Sequence, residues 1–273
     1  MKMGRRIAAI LASTLIMIPM VGCAPKESST EVAKKYFDSV KSKDYEIAYN
    51  LLSKDSKKVV SLEDYKKYQE VNDKCQTLKD YKLGEEEKID KYKYADKEYS
   101  KLIKIKETST LKSHEDNTED TSNSDRYFVV EDNEYKLLWH EDFKKKFSHN
   151  YVSLAWIEID KKENKDLNKA AIYINKALEI DNTNSRAYYA QAYVYTDLKR
   201  YDEALKASEN NLKYLDKKDK DYKQYISDTF NLKGVVYMEK EKFSEAKENF
   251  KKSLEFNENN EYAKTNLNII KDL

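Results

Sequence analysis

The chain has 273 residues, enough for two modest domains, and is 40% hydrophobic and 37% charged. Lys and Arg number 51 against 50 Asp and Glu, a balance that argues against nucleic-acid binding, which usually leaves a basic excess on one face. Nearly all the positive charge is lysine, a poor choice for bidentate phosphate or carboxylate recognition, and glycine occurs only at 4, 22, 84 and 234, which excludes Gly-rich phosphate loops.

At the amino terminus Lys2, Arg5 and Arg6 precede an apolar run from Ile7 to Met20. The run is short for a bilayer span, and Pro19 interrupts its end. Met20-Val21-Gly22-Cys23 resembles a bacterial lipobox. The resemblance implies a signal peptide over 1–22, diacylglyceryl transfer to Cys23 and a mature chain lipid-anchored to the outer face of the bacterial cytoplasmic membrane. Cleavage would shift the side-chain charge from +1 to about −2, so the lipid and not electrostatics would hold the chain. Residues 23–30 read as a polar tether. Cys75 has no second cysteine to pair with once Cys23 is acylated, and reads as a buried small residue.

Residues 31–146 read as an α+β domain. Ala33, Tyr36, Phe37 and Val40 recur at helical spacing, with Ser29 or Thr30 as candidate caps. Asp44–Leu52 is a second short helix, and Ser61 opens a third with Asp64 at capping-box spacing. The period then falls to two. Tyr92–Ala95 and Tyr99–Ile105 flank a turn at Asp96-Lys97, and Arg126–Val130 and Tyr135–Trp139 flank a turn at Asp132-Asn133. Tyrosine, at 23 residues, must supply much of the aromatic core, with its hydroxyls reaching water or a partner. The helix-then-sheet order resembles the NTF2-like fold, and more closely the NTF2-like amino-terminal domain of MecA-type penicillin-binding proteins. The stretches AKKYFDSVKSKDYEIAYNLL, SLEDYKKYQEV and YFVVEDNEYKLLWHEDF carry the likeness. The resemblance implies a spacer or interaction module without catalysis; helical repeats stand where those enzymes carry a transpeptidase domain.

Candidate chemistry in this domain is sparse. His140 reads as a surface residue at a strand end, and HEDNTEDTSNSD, which holds His114, reads as a solvated mobile loop without the pattern of a cation site. His149 has no ligand partner at metal spacing. No catalytic residue, metal site or cofactor is expected.

Residues 150–273 read as all-α repeats. Tyr188, Ala192, Tyr195, Tyr201 and Ala204 recur as Phe230, Gly234, Tyr237, Phe243 and Ala246. Ala170, Ile174, Ala177 and Ile180 mark the second helix of an earlier repeat whose first helix holds Leu154, Ala155, Trp156 and Ile159. Glu261–Leu273 reads as a cap helix with Ala263, Leu267 and Ile270 inward. The pattern resembles the tetratricopeptide repeat, about three copies plus the cap. Spacing in excess of that repeat's usual length is supplied by Asp216–Gln224. The resemblance implies a groove lined by Arg186, Tyr189, Tyr193 and Asp197, and by Asn231, Val235, Met238 and Glu239, that grips a protein or peptide of the cell envelope. The alternative is that Tyr189 and Tyr193 only cover neighbouring helices. No Gly or Pro separates the two regions, which predicts a stiff junction. The leading expectation is a non-enzymatic, membrane-anchored binding scaffold. Its rivals are small-molecule binding or catalysis in the NTF2-like pocket, and a self-associating envelope protein.

Overall fold

The computed structural model describes residues 25–271; Cys23 and the expected signal peptide lie outside them. Helix α1 (Ser29–Ser42) starts earlier than a cap at Ser29 or Thr30 would place it, because Ser28 is the cap. The Ser28 hydroxyl accepts from the Glu31 amide, and the Glu31 carboxylate accepts from the Ser28 amide. Ser29 and Thr30, the expected caps, instead donate their hydroxyls to Glu86 at 2.6 and 2.9 Å. Helices α2 (Tyr45–Asn50), α3 (Lys54–Val59) and α4 (Leu62–Cys75) follow. Ser61 caps α4 by accepting from the Asp64 amide and donating to the Asp64 carboxylate at 2.8 Å.

Strand β1 (Gln76–Ile89) leads to a small ribbon, β2 (Tyr92–Tyr94) and β3 (Lys97–Tyr99), then to β4 (Leu102–Ser113), β5 (Glu119–Glu131) and β6 (Glu134–Leu138). Among the described residues β1, β4, β5 and β6 form one antiparallel sheet in the order β1-β4-β5-β6. The β5–β6 hairpin turns at Asp132-Asn133, both at positive φ, as a two-residue turn of that composition requires. The other turn falls one residue before its expected place: Tyr94 pairs with Lys97, so Ala95-Asp96 makes the bend, and β4 begins only at Leu102. The acidic stretch expected to be a mobile loop is mostly strand. Glu119 pairs with Lys112 and the ladder continues to Phe128, because backbone pairing with β4 overrides side chains that all prefer water.

One sheet face packs on the helices through Ile103, Ile105, Phe128 and Leu137; the other buries Leu102, Val129 and Leu138 beneath Tyr94 of the ribbon. Asp55 of α3 holds the ribbon by an ion pair to Lys97 and by accepting from the Tyr99 hydroxyl, and it also pairs with Lys58 on its own helix. On the helix side tyrosine hydroxyls are satisfied internally. Tyr36 accepts from Trp139 Nε1 at 2.9 Å and from the Tyr65 hydroxyl at 3.2 Å, and Tyr65 accepts from Gln69. Glu107, 1% exposed, is paired with Arg126 at 3.0 Å. Cys75 is buried; its thiol donates to the Asn150 carbonyl, and burial pushes its pKa up to about 12.

His140 is not the surface residue its position suggested. Its Nε2 lies 3.4 Å from Arg126 Nη1, and its ring sits 5.1 Å from Trp139. Burial, reinforced by the Arg126 charge, holds its pKa well below the ordinary histidine value.

Helix α5 (Phe143–Ile159) runs through the point where the sheet region ends and the repeats begin. Phe143, Phe147 and Tyr151 on its first half continue a line of rings from Trp139, with centroids 5.2–5.7 Å apart. Its second half pairs with α6 (Leu167–Ile180) through Leu154, Ala155, Ile159, Ala170, Ile174 and Ala177. Pairs α7 (Ser185–Asp197) with α8 (Tyr201–Tyr214), and α9 (Tyr222–Glu239) with α10 (Phe243–Phe256), repeat the arrangement, and α11 (Glu261–Ile269) closes the stack with Ala263 and Ile270 buried. Details recur as well: Tyr188 stacks on Tyr214 and Phe230 on Phe256, at 5.7 and 5.8 Å, and Lys199 and Glu241 take left-handed φ in equivalent turns.

The close approach of α9 to α10 depends on Gly234, where a Cβ would collide with the fully buried Phe250 ring. Gly234→Ala is therefore expected to lower unfolding free energy by about 1–3 kcal/mol despite alanine's better helix propensity. Urea unfolding followed by circular dichroism reads this, and unchanged stability contradicts it. His140 gives a pH dependence. Its folded pKa is depressed, so its contribution is fully present above the unfolded value and is lost as pH falls, by at most about 1.4 kcal/mol per pH unit. The stability loss between pH 7 and pH 5 should be smaller in His140→Gln than in the parent; equal losses contradict the assignment.

Candidate functional site

Stacking α5, α7 and α9 side by side leaves a recess on the face they share. The recess has a volume of about 700 Å³. Helix α5 contributes Lys145, His149 and Trp156; α7 contributes Arg186 and Tyr189; α9 contributes Tyr225 and Asp228. The segment between α8 and α9 forms a further wall with Leu215, Asp216 and Asp219. That wall is the extra length between the repeats, and its two aspartates cap their own turns by accepting from the Lys218 and Asp221 amides at 2.9 Å.

Local packing fixes the lining side chains. The Arg186 guanidinium lies 5.7 Å from the Tyr225 ring centroid and donates to its hydroxyl at 3.0 Å. Trp156 stands 6.2 Å from Tyr189 and 5.5 Å from Tyr193. Asp228 accepts from Gln224 at 2.8 Å and from Asn260 at 3.2 Å, and burial raises its pKa above the usual carboxylate value despite these bonds. His149 is pushed down by burial and by the Arg186 charge, which keeps its imidazole neutral at pH 7.

A second recess of about 430 Å³ adjoins the first and shares Tyr189 and Asp228 with it. Its other lining groups include Gln224, Asn231, Asn260 and Tyr262, and Tyr262 is 77% exposed. Asn231 accepts there from Asn266 at 3.0 Å.

Of the residues expected in the groove, Arg186 and Tyr189 line the larger recess and Asn231 the smaller. Tyr193 is half-buried against Trp156, and Asp197 is exposed near the end of α7. Met238 and Val235 pack under the cap with Phe250, Leu267 and Ile270, so the cap removes them from the open face. Glu239 accepts from the Tyr201 hydroxyl at 3.4 Å. The lining groups not expected from sequence include Lys145, His149, Asn211, Tyr214, Tyr225 and the aspartates. Asp228 had a readable signal: it occupies in α9 the place that Arg186 occupies in α7. Lys145 and His149 had none, because α5 departs from the repeat spacing. Among the described residues no three His, Cys, Asp or Glu side chains converge as a metal ion would need.

Comparison with known proteins agrees with the helix pairing. Residues 173–206 and 227–260 each match a family model described as tetratricopeptide repeat. No curated protein matches the chain. Among solved structures, the TPR domain of Arabidopsis OM64 is 17% identical with a TM-score of 0.40, covering 47% of this chain and 98% of that domain. The N-terminal domain of stress-induced protein-1 from C. elegans is 21% identical with a TM-score of 0.39, covering 47% of this chain and 97% of that one. Within the helical half, residues 173–206 and 227–260 are tetratricopeptide-like repeats.

Proposed function

We propose that the chain is an extracytoplasmic bacterial lipoprotein, held by an acylated Cys23, that binds a protein or peptide of the cell envelope in its repeat groove and performs no catalysis. The observation that carries the reading is the recess itself, lined by side chains from three successive first helices of the repeats. Such a surface suits an extended segment laid across the helices. The basic start, the apolar run and the Met20-Val21-Gly22-Cys23 box support the anchor. Among the described residues no helix is long and apolar enough to cross a membrane. The anchor in this reading is the lipid on Cys23. The near-equal charges support a protein partner over nucleic acid.

The sheet region serves in this reading as an NTF2-like spacer. Helices followed by an antiparallel sheet with one face packed on them support that kinship. A ligand pocket inside the sheet is disfavoured, because Tyr36, Tyr65, Trp139, Glu107 and Arg126 fill the space between sheet and helices.

Two measurements test the proposal. Cys23→Ser should abolish incorporation of radiolabelled palmitate and release the protein from the membrane fraction; retained label refutes the anchor. Tyr189→Ala should lose the partners that the parent chain recovers from solubilised envelopes, with its thermal unfolding midpoint within a few degrees of the parent; unchanged recovery refutes the groove.

A further inference from the structure

The charges around the larger recess are unbalanced. Asp181, Asp216, Asp219 and Asp228 all line it, and the cations among its lining residues are Lys145 and Arg186. Arg186 is already engaged by Tyr225, and His149 beside it is held neutral. Among the described residues none of the four carboxylates lies in an ion pair, although exposed carboxylates elsewhere on the chain commonly do, as in Glu46 with Lys66 and Asp202 with Lys240. The lysines of the α8–α9 segment, Lys217, Lys218 and Lys220, are not among the lining residues. Trp156, Tyr189, Tyr214 and Tyr225 supply the aromatic surface between the acids.

Aromatic faces beside unpaired carboxylates suit an organic cation on an apolar stem: the stem lies on the rings and the charged head meets the acids. A metal ion does not fit, because no three of these groups converge. The adjoining recess is rich in side-chain amides, of which Asn231 and the exposed Asn259 can hydrogen-bond a peptide backbone passing from one recess to the other.

We propose that the groove selects a peptide segment of its partner by a lysine or arginine side chain, received in the recess walled by Asp216, Asp219 and Asp228. The inference rests on the groove reading above and adds the charge of the occupant. The inserted α8–α9 segment is the selective element, because it brings Asp216 and Asp219 to a face otherwise built from the stacked helices.

The test uses the full chain in mild detergent and fluorescent peptide pools of about twelve residues, random except for a central lysine, norleucine or glutamate. Anisotropy should show the lysine pool binding about tenfold or more tightly than the norleucine pool, with glutamate weakest, and the preference should shrink as salt rises. In the double variant Asp216→Asn/Asp219→Asn the preference should fall by at least about threefold. Asparagine keeps the oxygen that accepts from Lys218 and Asp221, so the turns persist while the charge goes. Tyr189→Ala should weaken all pools. Equal binding of the lysine and norleucine pools, or preference for glutamate, overturns the inference while leaving a peptide groove standing if Tyr189→Ala still weakens them. No binding by any pool overturns both. Displacement by N-acetyl-lysine amide at the peptide's own concentration marks a receptor for small cations and overturns the assignment to a peptide.

Discussion

The seating of Trp139 is the constraint on which the rest of the molecule depends. Its amide donates to the Ser56 hydroxyl, its indole donates to Tyr36, and its ring meets Tyr65 and Tyr68 edge-on. These contacts end β6 at a fixed place and deliver the chain directly into α5. Phe143 and Phe147 then extend the same aromatic line along the helix. One apolar cluster therefore runs from Val32 in α1 to Val194 in α7 without a break. The boundary that the change of periodicity suggests between residues 146 and 150 falls within α5, a helix that belongs to both packing regions.

Small residues do the complementary work in the repeats. Ala155, Ala170, Ala177, Ala187, Ala190 and Ala204 are fully buried, which lets paired helices approach until larger neighbours interlock. Polar ties hold the register between pairs. Asn184 caps α7 and also donates to Ser148, whose hydroxyl donates to the Ala177 carbonyl; Asn260, Ser227 and Ser253 repeat the device at the other end of the stack. Each buried polar group is thus satisfied while it fixes a helix start. The recess between α5, α7 and α9 is a consequence of this spacing and requires no special backbone.

How much was legible in the sequence follows from how local each signal is. Tyr188 and Phe230, with their small partners four positions on, disclose helix pairs because the same contact recurs at the same offset. Asp132-Asn133 discloses its hairpin because few residues tolerate that backbone. Strand β1 was silent: two bulges interrupt its pairing with β4, and most of its side chains face water, so no period of two survives. The outer half of β5 was silent for a related reason, since its identity lies in the neighbouring strand. In the groove, the residues on α7 could be read from repeat positions. The acids of the α8–α9 segment could not, because only the stacked helices reveal which way that segment folds.

The turns of the α8–α9 segment are closed by its own backbone and by aspartates that accept from amides two residues away. The helices on either side are held by Asn211, Thr229 and the alanines, none of which needs the segment's charged side chains. The wall of the recess and the helical architecture are thereby uncoupled. Substitutions that redraw this wall leave the helical frame intact, so the lining of the recess can diverge faster than the fold.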